Sequence, residues 1–114
     1  MWTCSSDRNL KENFAALDPR RVLRHFSAKP VMRWNFKGHP EKPHIGPVAQ
    51  DFHSAFGLSD QRDDTHIDAG DAIGVALAAI QGLHQRMRQQ MRAKDKEIAQ
   101  LKKDLRAIKA KLGM

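Results

Sequence analysis

Apolar residues recur every three or four positions from Leu77 almost to the end of the chain. This spacing is typical of a heptad repeat, and it predicts one long helix that pairs with copies of itself. The apolar heptad positions, called the seam below, are Leu77, Ile80, Met87, Met91, Ile98, Leu101, Leu105 and Ile108. His84 and Lys94 occupy two further heptad positions, and we interpret them as polar layers that set the register.

The charges beside the seam indicate how these helices would pair. In a parallel arrangement Glu97 would face Lys102 of a neighbouring copy, and Asp104 would face Lys109 in the same way. The order of leucine and isoleucine in the seam leans away from dimers, so we expect a trimer. The helix would extend on the order of 50 Å, which is too long to fold back on a small body.

The pattern before the seam predicts short elements. Asp18 followed by Pro19 is typical of a helix start, and about two helical turns should follow. Residues 31–36 alternate in polarity, which predicts a short strand with Trp34 and Phe36 facing the core.

The middle of the chain also predicts short elements separated by loops. Residues 39–43 carry two prolines and should form a loop, and residues 47–55 should form a short helix. The polar stretch at residues 58–65 predicts a surface loop, and residues 66–68 predict a brief strand. The last helix should open at residues 69–71.

These elements predict an α+β fold, in which a small mixed body precedes the long C-terminal helix of a parallel coiled coil. A chain of 114 residues fits one small domain whose independent core is limited, so oligomerisation should supply further burial. Cys4 is the single cysteine; we expect a reduced thiol, although a disulfide between chains stays open. No run approaches the roughly eighteen apolar residues that a membrane span needs.

The formal net charge of +7 lies on the C-terminal tail. Met1 to His84 hold ten basic and ten acidic residues, whereas Gln85 to Met114 hold ten and three. The basic residues of the tail alternate with seam positions and lack aromatic stacking partners, so a solvated coiled-coil exterior is favoured over a nucleic-acid surface.

A candidate nucleophile and base lie near the N-terminus, at Ser6 and Lys11. A serine hydroxyl attacks only when a base removes its proton, and lysine is a base only in its neutral form. On a helix two residues five apart would lie about 140° apart, so the pair requires a turned or extended segment, or a second subunit. Asp7 and Asn9 favour a turn. The alternative is that Ser6 or Asp7 caps a helix and Lys11 is solvated.

A second run, Gly46-Pro47-Val48-Ala49-Gln50-Asp51, follows some thirty residues later. In the structural interpretation of this run, Gly46 and Pro47 form a turn, and Gln50 or Asp51 caps a helix or bridges within an oligomer. We interpret His44, just before this run, as a structural or surface histidine rather than a proton carrier. The histidines show no ordinary zinc spacing, so no metal site and no cofactor are predicted.

Together the two runs resemble the signature of the peptidase S74 family, the C-terminal intramolecular chaperone domain of phage endosialidases, tailspikes and tail fibres. That signature is a Ser-Asp-x-x-Leu-Lys run and a later Gly-x-x-Ala-Gln-Asp/Glu box, and the resemblance covers roughly Ser5 to His84. It implies that Ser6 is the nucleophile and Lys11 the general base of a single-turnover cleavage beside Ser6. The supporting residues that the resemblance implies are Asp7, Leu10, Asn13, Gly46, Gln50 and Asp51.

The resemblance further implies three segments and a role. Residues 1–5 would be an upstream remnant with the cleavage flank, residues 6–71 the chaperone body, and residues 72–114 the coiled coil. The domain would trimerise, assist folding of an attached phage tail fibre or tailspike, and then cut itself away in the bacterial host cytoplasm during phage assembly. The alternatives are a non-catalytic coiled-coil attachment module and, less favoured, a basic nucleic-acid binder whose affinity would fall with salt.

Overall fold

The computed structural model describes residues 5–58 and 64–113, and it has short elements followed by one long helix. In chain order the elements are a 3-10 turn at Arg8–Leu10, α1 at Pro19–Ser27, β1 at Met32–Trp34, β2 at His44–Gly46, α2 at Ala49–Phe56 and α3 at Ala69–Lys111. The two strands form an antiparallel pair in which Met32 lies opposite Gly46. The α+β class predicted from the sequence is confirmed.

Helix α1 begins where the sequence predicts it. The Asp18 side chain accepts a hydrogen bond from the Arg20 amide at 3.1 Å, and Pro19 occupies the first helical position. An acidic cap satisfies one of the amides that a helix start leaves unpaired, and proline has no amide to leave unpaired. The helix ends at Ser27, before Pro30, and it buries Val22.

The core is small and lies where α1 and α2 meet the first turns of α3. Among the described residues the buried apolar side chains are Val22, Phe52, Val75, Ala78 and Ala79. The Arg20 guanidinium donates to the Gln89 side-chain oxygen at 2.5 Å and ties α1 to α3 further along the helix. The His25 ring lies 3.1 Å from the Ala55 carbonyl oxygen and joins α1 to α2. A core of this size agrees with the expectation that the chain has limited burial of its own.

Helix α3 uses two different faces. Its buried residues are Val75, Ala78, Ala79 and Gly82, and this face carries the body. At 3.6 residues per turn the nearby seam residues point roughly 180° away from that face. Seam side chains are between 49% and 63% exposed, so the single chain leaves the whole seam open to solvent. The helix has 43 residues and is roughly 64 Å long at the usual rise, within a molecule 75 Å in its longest dimension.

The prediction that Trp34 and Phe36 face the core is wrong. Trp34 is half-buried and Phe36 is 62% exposed. The strands pair with each other and with no other described element, so their rings pack locally instead. Trp34 stacks on His44 with ring centroids 4.9 Å apart, and Phe36 meets the Trp34 ring edge-on at 4.9 Å. The sequence also missed β2, whose pairing partner lies about a dozen residues away.

The brief strand predicted at residues 66–68 is also wrong. Residues 64–68 form no strand, and the Asp68 side chain instead accepts from the Asp71 amide at 3.0 Å as the cap of α3. Leu58, Asp64 and Thr65 are exposed, in keeping with the predicted surface loop. The rest of that loop, residues 59–63, and the single cysteine, Cys4, lie outside the described residues.

A substitution at Gly82 should weaken the packing of the body against the long helix. A Cβ there would lie 2.6 Å from the Pro19 carbonyl carbon and closer still to its oxygen, and backbone atoms cannot yield without moving α1. We expect Gly82→Ala to lower the free energy of unfolding by about 1–3 kcal/mol, as overpacked cores do. Urea unfolding followed by circular dichroism measures this change.

Gly74→Ala is the matched control, because it lies in the same helix and its Cβ would meet nothing within 4 Å. Replacing a helical glycine by alanine at an open position should raise the free energy of unfolding by about 0.5–1 kcal/mol. If both substitutions changed the free energy of unfolding by the same amount and in the same direction, the packing described for Gly82 would be contradicted.

Candidate active site

Ser6 and Lys11 are brought together by a short turn in one chain. The Asp7 side chain accepts from the Asn9 amide at 2.9 Å and starts the 3-10 turn. The turn closes when the Lys11 amide donates to the Arg8 carbonyl at 3.2 Å. Lys11 then continues in an extended conformation, and its Nζ donates to the Ser6 Oγ at 2.7 Å.

This geometry distinguishes between the arrangements that the sequence left open. The segment is turned rather than helical, so the angular separation of a regular helix does not apply. Asp7 does act as a cap, as the alternative interpretation proposed, but it caps one 3-10 turn and Lys11 meets Ser6 all the same. The pair forms without a residue from a second subunit.

The pair is open to solvent in the single chain. Ser6, Lys11 and every residue from 5 to 18 are exposed. The hydrogen bond runs from the Lys11 amine to the serine oxygen, whereas attack by the serine requires its hydroxyl proton to pass to a base. Burial disfavours a charged ammonium, so covering this segment would favour the neutral amine that activates a serine.

The supporting residues of the first run shape the backbone around the pair. Asp7 holds the turn, and Leu10 ends it with its side chain 74% exposed. Asn13 has a φ of 55°, a left-handed conformation that asparagine tolerates better than most residues. It therefore bends the chain just after Lys11. The Arg8 guanidinium lies over the Phe14 ring, 5.8 Å from its centroid.

The second run lies apart from the pair. Gly46 ends β2, and its carbonyl accepts from the Trp34 indole at 3.3 Å. Gln50 and Asp51 lie in the first turn of α2, where a carboxylate is favourably placed near the positive end of the helix. His44 stacks on Trp34, which is a structural position. Within the described residues no hydrogen bond or ion pair joins this run to Ser6 or Lys11.

One feature beyond the predicted site residues is an apolar arm. The arm is defined as residues 5–17, and its large apolar side chains are Leu10, Phe14 and Leu17, each more than 60% exposed. Their spacing of four and three residues resembles a helical face, although this segment forms no helix after Leu10. The spacing therefore identifies the apolar side chains of the arm, but it does not predict the backbone conformation of the arm.

Neither a metal-binding cluster nor a membrane-spanning helix is found in the part of the chain that the structure describes. In residues 5–58 and 64–113, no three histidine, cysteine, aspartate or glutamate side chains gather where they could hold a metal ion. No helix in the same residues has the length and apolar character that crossing a membrane requires.

Comparison with known families adds one match. Residues 6–57 match the model of the Peptidase S74 family, described as the chaperone of endosialidase. The match begins at Ser6 and ends at Gly57, the left-handed residue that caps α2, so it is shorter than the resemblance expected from the sequence and excludes α3. No curated protein and no solved structure matches the chain. The match covers 52 of the chain's 114 residues, and over that part it supports the resemblance to the Peptidase S74 family, the chaperone of endosialidase.

Proposed function

We propose that this chain is a self-cleaving intramolecular chaperone that trimerises through the seam and cuts the peptide bond beside Ser6. The observation that carries the proposal is the hydrogen bond of 2.7 Å between the Lys11 amine and the Ser6 hydroxyl. A serine within hydrogen-bond reach of its base is the geometry that nucleophilic catalysis requires. The match to an endosialidase chaperone family supports the chaperone part of the role.

The proposed reaction uses both side chains in turn. The Ser6 Oγ attacks the carbonyl carbon of the adjacent peptide bond while its proton passes to Lys11 Nζ. The carbon–nitrogen bond then breaks, and Lys11 returns the proton to the leaving nitrogen. Water hydrolyses the resulting ester and restores the Ser6 hydroxyl. The enzyme is its own substrate, so each chain reacts once.

Exposure of the pair supports a reaction that waits for assembly. In the single chain Ser6 and Lys11 are exposed, and a hydrated ammonium is a poor base. Contacts that exclude water from the arm would favour neutral Lys11 and hence attack by Ser6. Cleavage would then follow trimer formation, and release of the chaperone would make the folding step irreversible.

The long helix supports the assembly part of the proposal. The body occupies one face of α3 and leaves the opposite seam free, so three seams can meet without displacing the body. Parallel helices that align three chains reduce the loop-closure entropy of forming intertwined β structure, which has high contact order. We propose an upstream phage tail fibre or tailspike as the client, folded in the bacterial host cytoplasm during phage assembly.

Loss of the Ser6 hydroxyl should stop the cleavage. We expect the chain, expressed behind a folded carrier, to be cut beside Ser6, and the Ser6→Ala variant to stay whole because no nucleophile remains. Intact-mass spectrometry of the purified proteins measures both. Ser27→Ala is the matched control, since Ser27 is an exposed serine at the end of α1, away from the proposed cleavage bond, and it should be cut like the parent chain. Uncut parent protein that is folded and oligomeric would instead support a non-catalytic coiled-coil module.

Replacing Lys11 by arginine should also stop the cleavage. Lys11→Arg keeps a cation and a donor beside Ser6, but a guanidinium does not lose its proton in proteins. We expect cleavage to fall at least a hundredfold, in line with the usual contribution of a general base. The rate is measured from mass spectra over time, with Lys37→Arg in the exposed hairpin loop as the control. A rate within twofold of the parent would show that Lys11 is not the base.

A charge in the seam should break the trimer. Leu101 lies at a fourth heptad position and is 60% exposed in the single chain, so Leu101→Lys should leave the body folded. Three lysines at one layer would repel one another in an apolar interface. Sedimentation should give a mass of three chains for the parent and of one chain for the variant. Ala99→Lys, at an exposed position outside the seam, should remain trimeric. A monomeric parent chain would contradict the proposed assembly.

A further inference from the structure

The apolar side chains of the arm are largely exposed, and only its last residues, Ala16 and Leu17, border clefts of its own body. Within the described residues no hydrogen bond joins residues 12–17 to the rest of the chain. Phe14 is 66% exposed and Leu10 is 74% exposed. Large apolar side chains that stay exposed on a segment with few hydrogen bonds are typical of a surface that another surface covers. This exposed apolar segment follows Ser6 and Lys11 directly in the chain.

An apolar groove of about 240 Å³ lies elsewhere on the same body. The residues that line it include Phe26, Lys29, Val31, Pro47, Phe52 and Phe56. No residue of the arm lines it, whereas Leu17 lines two other clefts that also border Phe56. An apolar cavity of about 150 Å³ already accommodates benzene, so a phenylalanine ring fits this groove.

We infer that the arm of one copy docks on a second copy, with Phe14 seated in that copy's groove. The inference rests on the proposed trimer and goes beyond it by naming the surfaces through which the copies exchange their arms. The charges fit this arrangement. Lys29 borders the groove, and Glu12 lies two residues from Phe14 on the arm. Among the described residues neither charge has an ion-pair partner.

Symmetry explains why a trimer suits this contact. The arm and the groove are different surfaces, so each copy gives one arm and receives one. Such a head-to-tail contact closes when it is repeated around a threefold axis, and no arm or groove is then left over. A seam of three parallel helices provides that axis.

The exchange would complete the active site. In one chain the hydrogen-bonded pair is present but hydrated. Docking would place the pair against the body of the next copy, which excludes water from Lys11 and positions the peptide beside Ser6. Ser6 and Lys11 would then act within one chain, while the surface that desolvates them belongs to its neighbour. Cleavage would depend on neighbouring bodies as well as on paired seams.

Disulfide trapping tests this contact directly. Ala15→Cys, beside Phe14, and Val31→Cys are combined in a chain that also carries Cys4→Ser and Ser6→Ala, so the Phe14 ring is kept, no other thiol reacts and the arm stays attached. Both positions are exposed in the single chain, so the folded body should tolerate them. After oxidation we expect most of the protein to shift from the 12.9 kDa chain to covalent species of two and three chains on a non-reducing gel. Peptide mass spectrometry should identify the bond between residues 15 and 31.

A second pair provides the control. Ala15→Cys with Ile45→Cys uses another exposed β-branched position on the hairpin that does not line the groove, and it should link chains at least tenfold less. Sedimentation of the reduced samples separates the possible failures. A trimer that forms only bonds within one chain, or that keeps its thiols free, would overturn the arm exchange and leave the proposed function standing. A monomer would overturn the proposed trimer, and the exchange with it.

Discussion

The close approach of α1 to α3 at Gly82 is the contact on which the rest of the molecule depends. The Pro19 carbonyl occupies the space that a side chain at residue 82 would fill, so the start of α1 lies directly against the long helix. Helix α2 packs against α1, and its Phe52 joins Val22 and Val75 in a small core. Because this contact uses one face of α3, the seam on the opposite face stays free for other copies.

The Ser6–Lys11 pair has a different origin, since it depends on contacts within six residues. Asp7 caps one 3-10 turn, and the turn alone returns the Lys11 amine to the Ser6 hydroxyl. The pair therefore needs no contact with the core. Its exposure means that local geometry supplies proximity, and under the proposed function a change in the surroundings would supply the exclusion of water that a lysine base requires.

A chaperone that cuts itself away must not do so before its client has folded. Under the proposed function, placing Ser6 and Lys11 on an exposed arm is one physical solution, because the pair is already hydrogen-bonded while the surface that would exclude water from it is missing. The seam that we propose would align the chains, and the exchanged arms that we infer would report that the bodies have also met. Release would then depend on two surfaces that are far apart along the sequence.

The sequence by itself determined the elements whose causes are local. Asp18 and Pro19 predicted the start of α1, the heptad spacing predicted the long helix, and Asp7 with Asn9 favoured the turn at Ser6 and Lys11. The tertiary structure decided the rest: the pairing of β2, the ring cluster of Trp34 with His44 and Phe36, and the division of α3 into two faces. Caps, turns and periods act between residues a few positions apart, and they can be recognised in the chain. Strand pairing and the choice of a buried face depend on which distant surfaces fit one another, and only the folded chain brings those surfaces together.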